Sequence, residues 1–210
     1  MATLLHLSRL IDSLNTLVGR WVSWLVLAAV LISAVNAAMR KAFSLTSNGF
    51  LEIQWYLFAA VFLLSAGYTL LRQEHVKIDV LLHRFSRRNQ VKIEMVCFIV
   101  FLAPFVITVL VLVWPLVTKA YLSGEMSSSA GGLIRWPVFA LVPVGFALLG
   151  LQGVSELVKR LGFLQGLCDD PGVKKQVKTS EEELAELIRA RTVTDAALAL
   201  AAATKPGATK

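Results

Sequence analysis

Four stretches of the chain contain no Asp, Glu, Lys, Arg or His: Trp21 to Met39, Ile53 to Leu71, Met95 to Thr118 and Trp136 to Ser155. They are 19, 19, 24 and 20 residues long. At a helical rise of about 1.5 Å per residue, each reaches roughly 28 Å or more, enough to cross a hydrocarbon core about 30 Å thick. A water-soluble fold of 210 residues could not cover four helices that are apolar all round. The pattern therefore predicts an all-α integral membrane protein with four transmembrane helices. The first apolar run is longer than the roughly 7 to 15 residues of a signal-peptide core, and no small-x-small cleavage site follows it. It is expected to remain in the mature protein.

The flanks have other patterns. Over residues 1 to 20, Leu4, Leu7, Leu10, Ile11, Leu14, Leu17 and Val18 share one helical face, and Ser8, Arg9, Asp12, Asn15 and Thr16 share the other. This predicts an amphipathic helix lying in the membrane interface ahead of the first span. Residues 21 to 158 then form the four-helix domain, and residues 159 to 210 a weakly structured tail. In that tail Ser180 and Glu183 form a capping box, and an alanine-rich run follows Thr194.

Composition agrees with this pattern: 56% of residues are hydrophobic, 17% are charged and the mean hydropathy is +0.67. The net charge of +7 does not require nucleic acid, because the cations stand mainly beside the spans, where lipid and insertion topology explain them. The N-terminal, middle and C-terminal flanks hold twelve Lys and Arg residues, and the two remaining loops hold four. The positive-inside rule places both termini and the middle loop in the cytoplasm. Cys97 and Cys168 are too few and too far apart for a disulfide framework or metal cluster, and are expected as free thiols.

Chemistry is scarce within the spans. Burying a charge at mid-bilayer costs about 2.5 to 3.5 kcal/mol even on the lenient insertion scale, so an intramembrane ionisable group is the usual sign of an ion path. None is present. His6, His75 and His83 lie outside the spans, which argues against haem ligation. No nucleophile and base pair, phosphate loop or metal-ligand spacing occurs, so neither an enzyme nor a cofactor site is expected. Pro104, Pro115 and Pro143 should bend their helices locally. Trp21, Trp55, Trp114, Trp136, Tyr56 and Tyr121 fit an aromatic belt at the span ends.

The polar residues stand at the rims. Glu52 and Gln54 open the second span, where either a helix-terminal dipole or a contact with a neighbouring helix accounts for Glu52. Charges of both signs, Arg72, Glu74, His75, Lys77 and Asp79, follow that span, as a solvated loop or as a subunit contact would carry. The loop SGEMSSSAGGLIRWP, residues 123 to 137, has small residues suited to tight turns. Glu125 and Arg135 are open to pairing with each other or with a partner.

These blocks, EIQWYLFAAVFLLSAGYTLLRQEHVKIDVL (52 to 81), SGEMSSSAGGLIRWP and VPVGFALLGLQGVSELVKR (142 to 160), resemble the small permease subunit of tripartite ATP-independent periplasmic (TRAP) transporters. The similarity runs from about residue 5 to residue 162 and is closest to the branch named for mannitol and chloroaromatic compounds. The resemblance implies a sodium-driven secondary transporter of the bacterial inner membrane. In that family a periplasmic solute-binding protein delivers the solute, usually an organic acid, to a large permease subunit, which the small subunit braces. It further implies that Glu52, Arg72, His75 and Asp79 orient the subunit, and that Arg40, Lys41, Glu125 and Arg135 face the binding protein. The expected partners are those two proteins and membrane lipid. An anchor for a cytoplasmic protein, docking through residues 163 to 210, is the competing reading.

Overall fold

A computed structural model of the chain describes residues 2–43, 48–73, 85–129, 131–167 and 191. Four helices, each long and apolar enough to cross a membrane, account for nearly all of them. They are α1 (Ala2–Phe43), α2 (Asn48–Leu71), α3 (Arg87–Ser123) and α4 (Trp136–Leu164). The expected helix around Ser180 and the second thiol, Cys168, lie outside the described residues; Cys97 is exposed and free.

The interfacial helix expected over residues 1 to 20 is not a separate element. α1 runs unbroken for 42 residues, roughly 63 Å at the helical rise. That is about twice the hydrocarbon thickness, so α1 must project beyond the hydrocarbon layer or tilt within it. Its sequence shows why no break occurs: there is no proline, and the one glycine, Gly19, is accommodated within the helix.

Amphipathicity also acts in the opposite sense from that expected. Ser8, Ile11, Asn15, Gly19, Val22 and Ala29 form the buried stripe of α1, while Leu4, Leu7, Leu10, Leu14 and Leu17 are exposed. Lipid is a good solvent for leucine and a poor one for serine or asparagine, so the polar face turns towards protein.

α4 is the organising helix and touches each of the other three. Of its apolar window 28% is buried, against 11%, 6% and 6% for α1, α2 and α3. α1, α2 and α4 meet pairwise, whereas α3 leans on α4. Small residues permit the close α2–α4 crossing: a Cβ on Gly145 would stand 2.6 Å from the Leu63 carbonyl oxygen.

The prolines act unequally. Ahead of Pro104, α3 contains a π-helical turn, Phe98–Leu102. Proline has no N–H to donate and its ring crowds the preceding turn, so widening that turn relieves the conflict. Pro115 and Pro143 are carried inside α3 and α4 without a comparable turn. α3 then stops at Gly124, whose φ of +61° is the left-handed conformation that glycine adopts cheaply at a helix end.

Gly145→Ala should push α2 away from α4 and lower stability by about 1–3 kcal/mol. Gly150→Ala, whose Cβ would meet only the Val106 Cγ1 at 3.1 Å, should lower it by less. Thermal unfolding of the two purified variants in detergent measures the difference.

Candidate functional site

Polar chemistry gathers at the two ends of the bundle. At the end carrying the N-terminus, the polar face of α1 meets the last turns of α4. Asn15 Nδ2 donates to Gln152 Oε1 at 2.9 Å, and Gln152 Nε2 donates to Asp12 Oδ1 at 3.0 Å. The Ser155 hydroxyl donates to the same Asp12 oxygen at 2.8 Å and lies 2.7 Å from the Ser8 hydroxyl. Asn15, Gln152 and Ser155 are fully buried.

One atom in this seam, Asn15 Oδ1, has no hydrogen-bond partner. It faces Gly67 of α2, where an added Cβ would collide both with that oxygen and, at 3.1 Å, with the Leu148 carbonyl oxygen. Three helices therefore close on one another where α2 has no side chain.

Charges continue the seam outwards. Lys159 Nζ lies 2.8 Å from both Asp12 Oδ2 and Glu156 Oε1. Glu156 also pairs with Arg160, and Arg160 Nε pairs with Glu94 Oε2 of α3 at 2.8 Å. The Arg160 guanidinium stacks over the Phe98 ring, 4.8 Å from its centroid. The signs alternate from Asp12 through Lys159, Glu156 and Arg160 to Glu94, so each buried charge has an opposite neighbour. Glu156 and Arg160 are each only 2% exposed. Attraction inside such a cluster offsets a large desolvation cost, so its clearest energetic consequence appears when one member is removed.

At the opposite end, Glu52 is the anchor of the loop between α3 and α4. Its carboxylate accepts the Ser127 hydroxyl and, at 2.6 Å, the Leu133 backbone N–H. The loop folds back on itself through a Met126–Ile134 bridge and an Arg135 N–H to Glu125 carbonyl bond of 3.0 Å. The Tyr56 hydroxyl donates to the Ile134 carbonyl at 3.2 Å. Glu125 and Arg135 pair with each other at 2.9 Å, both partly exposed. An open groove of about 630 Å³ lies here, lined among others by Glu52, Trp55, Tyr56, Ser129 and Arg135.

Residues 29–162, more than half of the chain, match the family model of tripartite ATP-independent periplasmic transporters, DctQ component. The chain belongs to this family. DctQ proteins are the small membrane subunits of TRAP transporters, which in general work with a large permease and a periplasmic binding protein. No curated protein and no solved structure matches the chain.

The DctQ match spans all of α2 and α3, nearly all of α4 and the second part of α1, leaving Ser8, Asp12 and Asn15 outside it. Of the residues expected to orient the subunit, Glu52 and Arg72 stand near opposite ends of α2, and His75 and Asp79 lie outside the described residues. Arg72 is engaged locally: its Nε donates to the Tyr68 hydroxyl at 2.9 Å and its guanidinium covers that ring. Arg40 and Lys41 are exposed on the last turn of α1.

The seam at the other end was missed as a site, although both halves repeat at helical spacing: Ser8, Asp12 and Asn15, then Gln152, Ser155, Glu156 and Lys159. Pairing those two polar rows would have found it.

Replacing Glu156 with leucine should remove the carboxylate that Lys159 and Arg160 share, leaving Lys159 only Asp12 and Arg160 only Glu94, and destabilise the bundle by up to about 3–5 kcal/mol. Glu125→Gln, in a half-exposed pair, should change stability by less than about 1 kcal/mol. Denaturant titrations in the same detergent compare the two. Glu52→Ala should release the Leu133 amide, so that its hydrogen exchange accelerates while helix content is unchanged; an equally protected amide would remove Glu52 as the anchor of the loop.

Proposed function

We propose that this small TRAP subunit braces the large permease subunit in the bacterial inner membrane, with both termini in the cytoplasm, during sodium-driven uptake of an organic acid or related solute. The resemblance to the mannitol and chloroaromatic branch belongs to the same proposal.

One observation carries the reading: the described ion pairs lie at the two rims, while the broad faces of α1, α2 and α3 between them are apolar and largely uncovered. Surface of that kind suits packing against lipid and against another membrane subunit. A rigid frame needs such surfaces and requires no charge of its own at mid-membrane.

The polar rims fit their proposed sides. The end with Asp12, Lys159 and Arg160 joins the cation-rich flanks, the expected cytoplasmic side. Arg40, Lys41, Glu125 and Arg135 then belong to the periplasmic rim and are the proposed dock for the binding protein. Glu52 serves that dock by holding the loop that bears Glu125 and Arg135. Arg72, His75 and Asp79 remain proposed contacts for orienting the subunit at the cytoplasmic side.

Uptake measured with the complete three-part system tests this function. Deleting residues 168–210 should leave uptake close to normal, whereas Arg135→Ala should reduce it several-fold without loss of the membrane complex. Normal uptake in Arg135→Ala would remove that residue from the dock. Loss of uptake on deleting the tail would favour an anchoring role instead.

A further inference from the structure

α3 leans on α4, and their contact leaves a groove along one side. It has a volume of about 230 Å³, and its lining includes Phe98, Leu102, Ala103, Val106, Gly150 and Gly153. The two glycines form its floor: a Cβ on Gly153 would stand 2.8 Å from Leu102 Cδ2, and one on Gly150 3.1 Å from Val106 Cγ1. The lining runs along α3 from Phe98 to Ile107, roughly 14 Å at the helical rise. That is close to the acyl depth of one leaflet, half of a hydrocarbon core about 30 Å thick.

Its polar end coincides with the charged rim, because Phe98 lies directly beneath the Arg160 guanidinium. Arg160 itself is buried and paired with Glu94 and Glu156. Two other cations stand further out. Arg88 and Lys92 are exposed, with no ion-pair partner among the described residues. The row Arg88, Lys92, Met95, Ile99 and Ala103 follows one side of α3, so the cations continue the flank on which the groove opens.

We propose that this groove seats one acyl chain of an anionic phospholipid, whose phosphate is held by Arg88 and Lys92. A tail-sized apolar slot ending below two exposed cations is complementary to that one class of lipid. A cation near a membrane surface strengthens anionic-lipid binding about fivefold, and salt weakens the effect.

The full-length chain, stripped of lipid in detergent and titrated with phosphatidylglycerol or phosphatidylethanolamine, tests this by native mass spectrometry. Wild type should prefer phosphatidylglycerol, and Arg88→Gln with Lys92→Gln should lower its binding about 25-fold while leaving phosphatidylethanolamine unchanged. Ala103→Phe, which fills the slot from its open flank, should weaken both lipids. An unchanged preference in the double variant, or undiminished binding of both lipids in Ala103→Phe, would overturn the assignment. Because Ala103→Phe could disturb the α3–α4 contact, wild type is also labelled with phosphatidylglycerol carrying a photoreactive acyl chain. Label should fall on residues 98–107 and 150–157. Label that avoids them, or that disappears when the large subunit is present, would give the groove to another occupant.

Discussion

The architecture depends on the scarcity of hydrogen-bond partners inside a membrane. Leucine gains nothing by leaving lipid, whereas a serine, asparagine or glutamine there must find a polar neighbour. Ser8, Asp12 and Asn15 find theirs on α4, at Gln152, Ser155 and Lys159. Each interhelical hydrogen bond in such a setting contributes only about 0.6 kcal/mol on average. Their directionality counts for more: donors and acceptors on two rods meet in one register and one rotation, which apolar contacts alone would leave loosely specified. Gly67 adds a steric condition to the same place, since α2 can approach the Asn15 amide only without a side chain.

The two rims serve different ends. On the side of the N-terminus, side chains from three helices lock the rods to one another. On the opposite side a single carboxylate, Glu52, organises a loop, and the partly exposed Glu125–Arg135 pair lies at the surface of that loop. In this TRAP small subunit one rim joins helices to one another and the other shapes a surface loop. Between the rims, the helices present apolar faces that a water-soluble bundle would cover within itself.

The spans were legible because membrane insertion leaves a one-dimensional record: about twenty residues without charge. The N-terminal segment was misread and its two faces were only partly sorted, since Ile11, grouped with the leucines, lies in the buried stripe beside Ser8 and Asn15. Hydrophobic periodicity tells that Leu10 and Asp12 point apart, but does not tell which side meets protein, and inside a bilayer the usual answer is inverted. The π-turn before Pro104 was also hidden, because a proline announces a conflict in the helix without saying how the chain resolves it. Glu52 drew attention through its position at the end of a span. Its partners, Ser127 and Leu133, could not be read from sequence because they lie 75 and 81 residues away.

The seam between α1 and α4 also has a consequence for biogenesis. Its hydrogen bonds join residues 137 to 147 positions apart, tying α1 to α4. Until α4 emerges, Asp12 and Asn15 have none of these partners, so the nascent α1 must keep its polar side near water or borrow a companion. The bundle can close only once α4 has been made, and a chain truncated before Gln152 would lack the means to fasten α1.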